Sequence, residues 1–317
     1  MNSPDCFNGP LAAEMADFIL HKRMQGYIYK GQVNRLGLFD RFITEQECPD
    51  GAIQGGVYTR YRDSIAHLTP GTQENYLSIV RVFSQHLHAW RPESAVMPPN
   101  MAPRHARPTR FRRIAPEEVA ALMEAAGELN MRCPVGPHAV RFLIGLLYST
   151  GLRISEAIKL DLGDVDPHCG TLHVRRGKFA KDRLVALSES ASNAFDDWLR
   201  LRSRYAPTAL SAPLLPGGRN GRLTYTQSRV AFRTLCLRCG LHGEPQPRLH
   251  DLRHNFACNC IARWREAGED VQTLLPVLAN AMGHVGMLST QWYVHLDAAE
   301  LQPASNRLKQ YFTQNNS

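Results

Sequence analysis

Two arginines, two histidines, a lysine and a tyrosine stand in an order that suits breaking a phosphodiester with a protein hydroxyl. Arg153 lies in Thr-Gly-Leu-Arg-Ile-Ser-Glu at 150–156, and Lys178 in Gly-Lys-Phe-Ala-Lys-Asp-Arg at 177–183. His250 and Arg253 lie in Arg-Leu-His-Asp-Leu-Arg-His at 248–254, His284 in Met-Gly-His at 282–284, and Tyr293 in Ser-Thr-Gln-Trp-Tyr-Val-His. A phosphodiester is anionic, so its charge must be masked before a nucleophile approaches. Arginine does this best, because its planar fork pairs with two phosphate oxygens. His250 and Arg253 are three residues apart and so share a helix face. Tyr293 offers a hydroxyl whose phenolate nearby cations would favour. His254, one turn beyond His250, reads as a structural histidine. Taken singly, each of these is as ordinary as a surface charge or a half-buried aromatic, and short motifs mislead. Their order as a set is what points to phosphoryl transfer.

The elements that must position them follow from periodicity and punctuation. Residues 10–90 read as a small helical bundle: Leu11, Met15, Phe18 and Ile19 share one face, and Val33, Leu36, Leu38, Phe39 and Phe42 another. A further helix opens at Thr72-Gln73-Glu74 and turns Tyr76, Ile79, Val80, Val82 and Phe83 inward. Five prolines between Pro92 and Pro108 then prevent a regular helix and favour an extended strap. From Pro116, a good first helical residue, helices are expected over 117–129 and 138–149, with Gly151 as a stop. A short helix follows from Ser155-Glu156 to about Leu160. Alternation over Thr171–Arg175 and Arg183–Leu187 predicts two strands of a hairpin with Lys178 at its tip. Helices are expected near 189–204, 225–239, 251–266, 271–282 and 297–312. The domains are therefore a helical unit at 1–92, a Pro/Arg-rich linker at 93–113 and a mixed unit at 114–317. The fold class is mainly α with a small antiparallel sheet.

Charge narrows the partner. The formal net charge is +8, but it is unevenly placed. Residues 1–90 carry 8 basic against 9 acidic side chains, residues 91–113 carry 6 against 1, and residues 114–317 carry 23 against 19. Arg104, Arg107, Arg110, Arg112 and Arg113 recur along the strap at a spacing that lets an extended chain track a phosphate backbone. The N-terminal residues lack the basic start and apolar core of a secretory signal, and the longest apolar run, near Phe142–Tyr148, is too short to span a bilayer. A cytoplasmic protein without a membrane partner is expected, its 8 cysteines reduced. Cys236-x-x-Cys239 and Cys258-x-Cys260 do not predict a metal site. They fall in expected helices, where a Cys-x-Cys pair diverges.

The ordered motifs resemble the tyrosine recombinase (phage integrase) family, closely over 114–317 and more loosely over the helical N-terminal part. The resemblance implies an N-terminal core-binding domain of SAM-like helical type and an α+β catalytic domain. It puts the two catalytic arginines on Arg153 and Arg253, the lysine on Lys178 (Lys181 being the alternative), the histidines on His250 and His284, and the nucleophile on Tyr293. It implies a site-specific recombinase or integrase that forms a 3′-phosphotyrosine, with no metal or nucleotide cofactor. Its partner would be a double-stranded DNA recombination site at the nucleoid, bound as a homo- or hetero-tetramer that can include partner recombinases. Arg253 and His284 are 31 residues apart, roughly two helical turns more than is usual in the family, which resembles recombinases of transposons and other mobile elements. Two other readings stay open. One is a type IB topoisomerase, marked by relaxation of supercoils without a specific site; the other is a non-catalytic DNA-binding accessory protein.

Overall fold

The computed structural model describes residues 7–46, 52–102, 111–175, 182–218, 221–284, 290, 291, 293 and 294. The chain divides into two units, Met1–Thr109 and Arg110–Ser317.

The first unit holds α1 (Ala12–Met24), α2 (Lys30–Glu45), α3 (Gly55–Ser64) and α4 (Pro70–Trp90). Each buries one stripe: Met15, Phe18 and Ile19; Leu36, Phe39 and Ile43; Val57, Tyr58 and Tyr61; Leu77, Val80, Phe83 and Leu87. These stripes meet in a single apolar core. α4 opens at Pro70, two residues before the expected Thr72. Proline's fixed φ suits a first helical turn, and its missing N–H costs nothing there. The strap also departs from expectation, because part of it is docked. Ala95 N–H donates to Ile53 O (2.8 Å), Met97 N–H to Ser84 Oγ (3.0 Å), and Tyr58 Oη to Ala95 O (2.7 Å). Residues 94–97, placed in the linker by composition, are thus tied to the first unit through backbone groups whose partners no composition signal reveals.

The second unit is built around α6 (Gly136–Thr150), which is buried on most of its surface, as its apolar run requires. α5 (Pro116–Ala126) and α10 (Leu249–Glu266) pack on it, with α9 (Tyr225–Arg238) against α5. β1 (Val165–Asp166), β2 (Thr171–Val174) and β3 (Arg183–Ala186) form an antiparallel sheet in that order, with Leu172 opposite Val185 and Val174 opposite Arg183. β4 (Pro216–Gly218) and β5 (Gly221–Arg222) make a second small hairpin. Side-chain caps set where several helices begin. Ser188 Oγ accepts from Ala191 N–H at the start of α8 (Glu189–Arg202), and Thr224 and Gln227 make a reciprocal capping box on α9. Asp270 caps α11 (Val271–Met282). α7 (Ile154–Lys159) follows α6 after a short turn. The segments expected as a hairpin tip (176–181) and a last helix (297–312) lie outside the described residues.

Gly151 ends α6 with φ +63°, a left-handed conformation that favours glycine. A Cβ here would also lie 2.3 Å from the Phe256 ring on α10. Gly240 has a similar φ of +69° but open space around it. Gly151→Ala is therefore expected to lower unfolding free energy by about 3 kcal/mol, combining left-handed strain and overpacking. Gly240→Ala should lose about 1 kcal/mol. Urea unfolding of the two variants checks this, and equal losses would remove the Phe256 contact as a cause.

Candidate active site

α11 ends in Ala281 and Met282, followed by Gly283 with φ +66°. The last carbonyls of a helix have no partner within it. Three arginines from three other elements take successive ones here. Arg183 of β3 donates from Nε to Ala281 O (3.0 Å), and Arg253 of α10 from Nη2 to Met282 O (2.8 Å). Arg153, at the start of α7, donates from Nη2 to Gly283 O (2.8 Å). Arg253 also donates from Nη1 to Gly151 O at 2.5 Å, so one guanidinium joins the ends of α6 and α11. The left-handed φ of Gly283 favours glycine at this turn, and a Cβ there would also lie 2.8 Å from Arg183 Nη1.

Glu156 holds two of these arginines together. Its Oε1 accepts from Arg153 Nη1 (2.8 Å) and Arg183 Nη1 (3.1 Å), while Oε2 accepts from Arg183 Nη2 (2.8 Å) and Arg153 N–H (2.9 Å). Burial pushes this carboxyl up, but the bonds and charge of Arg183 and Arg153 outweigh it and hold it at about 2. Burial, then the charge of Arg153, brings the Arg253 guanidinium down to about 10.

Turning down from Gly283, the chain presents His284, whose Nδ1 lies 2.8 Å from Thr290 Oγ1. The His284 ring is parallel to that of Tyr293, with centroids 6.3 Å apart. Tyr293 is buried, and its hydroxyl lies 2.8 Å from Nδ1 of His254. His250, one turn earlier on α10, meets the His254 ring edge to face. All three imidazoles are depressed by burial first and by neighbouring positive groups second. His284 falls to about 4 and His254 to about 3, and His250 is also lowered. Burial pushes the Tyr293 phenol up to about 12, against a smaller downward pull from Arg253 and Arg153. The cations thus act in the expected direction, but desolvation is larger and the phenol keeps its proton.

Five of the six expected residues, Arg153, His250, Arg253, His284 and Tyr293, are therefore brought into one cluster. Lys178 lies outside the described residues, as do Arg104, Arg107 and Arg110 of the strap. Arg113 is exposed. Arg112 is engaged inside the second unit, donating to His242 O (2.6 Å) and Glu118 Oε1 (3.0 Å). Chemically, the cluster offers an excess of positive charge, neutral imidazoles and a protonated phenol, which fit attack by a hydroxyl on an anion.

Residues 112–300 match the model of the phage integrase family. The chain belongs to that family. It is thus a tyrosine recombinase, an enzyme that breaks and rejoins DNA strands. Among relatives, this recombinase is 32% identical over 294 residues to y4rB of Sinorhizobium fredii (strain NBRC 101917 / NGR234), which is named as an integrase/recombinase. That match covers 90% of this chain and 93% of the relative. It is 35% identical over 181 residues to the tyrosine recombinase XerD of Mycobacterium tuberculosis (strain ATCC 25618 / H37Rv), covering 56% of this chain and 54% of that one. Its fold is similar to that of the XerH site-specific recombinase bound to palindromic difH substrate. The TM-score is 0.63 at 19% identity, covering 88% of this chain and 80% of XerH. It is equally similar to the Tn1549 transposon integrase in complex with transposon right end DNA, with a TM-score of 0.63 at 17% identity, covering 91% and 98%.

Three residues of this recombinase's cluster escaped the sequence reading. Glu156 stands three residues after Arg153, the spacing of a helix-opening carboxylate that bonds back to the N-cap. Arg183 shares the face of β3 that buries Val185, so it is a cation at an inward strand position. His254 reads from the sequence as a structural histidine, yet it touches the Tyr293 hydroxyl.

The depressed Glu156 carboxyl makes a pH prediction with a definite sign. Its stabilising contribution is present above its ordinary 4.5 and is lost as pH falls toward about 2. Wild-type protein should lose about 3 kcal/mol more than Glu156→Gln across that window. Denaturant melts of both proteins at stepped pH test this, and parallel curves would show that Glu156 does not carry the effect.

Proposed function

We propose that this enzyme is a site-specific recombinase of a mobile element, with Tyr293 as its nucleophile. The observation that supports this reading best is that Tyr293 shares one buried cluster with two guanidiniums whose charges act on it. Arg153, Arg253 and His284 stabilise the charge of the pentavalent phosphorus in the transition state, usually the largest contribution to such catalysis. Tyr293 Oη attacks, forming a 3′-phosphotyrosine and releasing a 5′ oxygen. Lys178 protonates that oxygen, with His250 assisting in proton transfer. A 5′-hydroxyl of another duplex reverses the step, and no metal or nucleotide is needed because the phosphotyrosine conserves the bond energy.

The partner in this reading is a double-stranded recombination site, engaged at the nucleoid by a tetramer of this chain alone or with partner recombinases. Of the strap arginines, Arg104, Arg107, Arg110 and Arg113 contribute phosphate contacts, whereas Arg112 is held by His242 and Glu118. The mobile-element role rests on the long Arg253–His284 interval.

Covalent trapping in cells tests the reading. Tagged wild-type and Tyr293→Phe proteins are expressed beside the DNA flanking the gene, denatured at once and captured, and the attached DNA is sequenced. Wild-type protein should carry ends at one short sequence, and Tyr293→Phe should carry none while still binding DNA. Adducts on Tyr293→Phe would overturn the nucleophile assignment. On a duplex carrying the recovered sequence, Arg153→Ala and Arg253→Ala should each slow cleavage by about 100-fold to 1,000-fold. Near-normal rates would remove them as the phosphate clamp.

A further inference from the structure

The phenolic proton of Tyr293 has to leave as the tyrosine oxygen bonds to phosphorus, so the group that receives it must lie on the hydroxyl. Nδ1 of His254 lies 2.8 Å from that hydroxyl, within hydrogen-bond distance, and His250 sits one turn earlier against the His254 ring. His284 has its Nδ1 on Thr290 and lies parallel to the tyrosine ring rather than at its tip. We infer that His254 holds the attacking hydroxyl of Tyr293 and accepts its proton during attack. This rests on Tyr293 being the nucleophile.

The imidazole is well fixed for that task. It packs against Phe111 (ring centroids 5.1 Å) and edge to face against His250 (4.6 Å). Its helix is anchored beside it, where Asn255 Nδ2 donates to Asp251 O and Asn255 Oδ1 accepts from Ile114 N–H. Burial, then the charges of His250, Arg248, Arg253 and His284, favour the neutral ring, and in the tautomer with its proton on Nε2 the Nδ1 lone pair faces the hydroxyl. A weak base suffices here for two reasons. The phenol becomes strongly acidic as its oxygen bonds to phosphorus, so transfer occurs late in attack. The incoming phosphodiester is also an anion, which favours imidazolium.

The step balances. The Tyr293 O–P bond forms while the P–O5′ bond breaks, and its electron pair stays on the 5′ oxygen. The phenolic proton goes to His254 Nδ1, and Lys178 gives a proton to the departing oxygen. His254 gains one positive charge and Lys178 loses one.

The test is single-turnover adduct formation on a nicked duplex carrying the sequence recovered by trapping. It is run with the ordinary 5′-oxygen bridge and again with a 5′-sulfur bridge, which leaves without needing a proton. His254→Ala is expected to form adduct about 100-fold more slowly, with the defect unchanged on the sulfur bridge, whereas Lys178→Ala is restored there. His254→Asn, which can hold the hydroxyl but cannot take its proton, should fall between His254→Ala and wild type, and it carries the test if His254→Ala does not fold. Rates within twofold of wild type for both variants overturn the inference. Restoration of either variant by the sulfur bridge also overturns it, because the residue would then act on the leaving group. Tyr293→Phe runs alongside: its inactivity leaves the nucleophile standing whatever His254 does, and its activity removes the reading beneath both.

Discussion

The carbonyl end of α11 is the fixed point on which the cluster depends. Left alone, those carbonyls would be buried without partners, which costs on the order of 1–3 kcal/mol each. Left alone, the guanidiniums of Arg153, Arg183 and Arg253 would be cations removed from water, at several kcal/mol each. Each problem solves the other. The helix C-terminus carries partial negative charge, and three successive carbonyls receive three guanidiniums. Glu156 cancels one of the three charges. Through these bonds the ends of α6 and α11, the start of α7, strand β3 and helix α10 share one geometry, although their residues are scattered from 151 to 283.

The remaining positive excess has electrical consequences for the resting enzyme. It holds His250, His254 and His284 neutral beyond what burial alone would do. It also pulls the Tyr293 phenol toward ionisation, but burial is stronger and the phenol stays protonated. The resting cluster is therefore cation-rich beside a buried, protonated phenol. An anion bound beside this cluster would supply negative charge and let the imidazoles take protons more easily.

Much of this was legible in the sequence where chemistry needs a residue type at a spacing. Arg153 after a helix-stopping glycine, the His250–Arg253 pair on one helix face, and Met-Gly-His before Tyr293 all declared themselves. Helix faces were legible for the same reason, since burial imposes a period: Met15, Phe18 and Ile19 are inside as the 3.6-residue repeat requires. What escaped depends on partners distant in the chain. Nothing near Arg183 announces that it reaches Ala281. Nothing near His254 distinguishes an imidazole that packs from one that holds a hydroxyl 39 residues away. The docking of Ala95 and Met97 was hidden likewise, because both are held through their backbone groups, which carry no residue-type signal.

The long interval between Arg253 and His284 follows from the same fixed point. It contains the rest of α10, a turn at Gly268 with φ +73°, and the whole of α11. The arginines engage the last carbonyls of α11, and none of the three bonds depends on where that helix begins. Residues added to the end of α10, to the turn or to the first turns of α11 lengthen the path without changing the register of Ala281, Met282 and Gly283 against Arg183, Arg253 and Arg153. An insertion after Gly283 would be different in kind, because it would move His284 and Tyr293 relative to guanidiniums whose positions are already set. The catalytic geometry is therefore indifferent to length on one side of Gly283 and sensitive to it on the other.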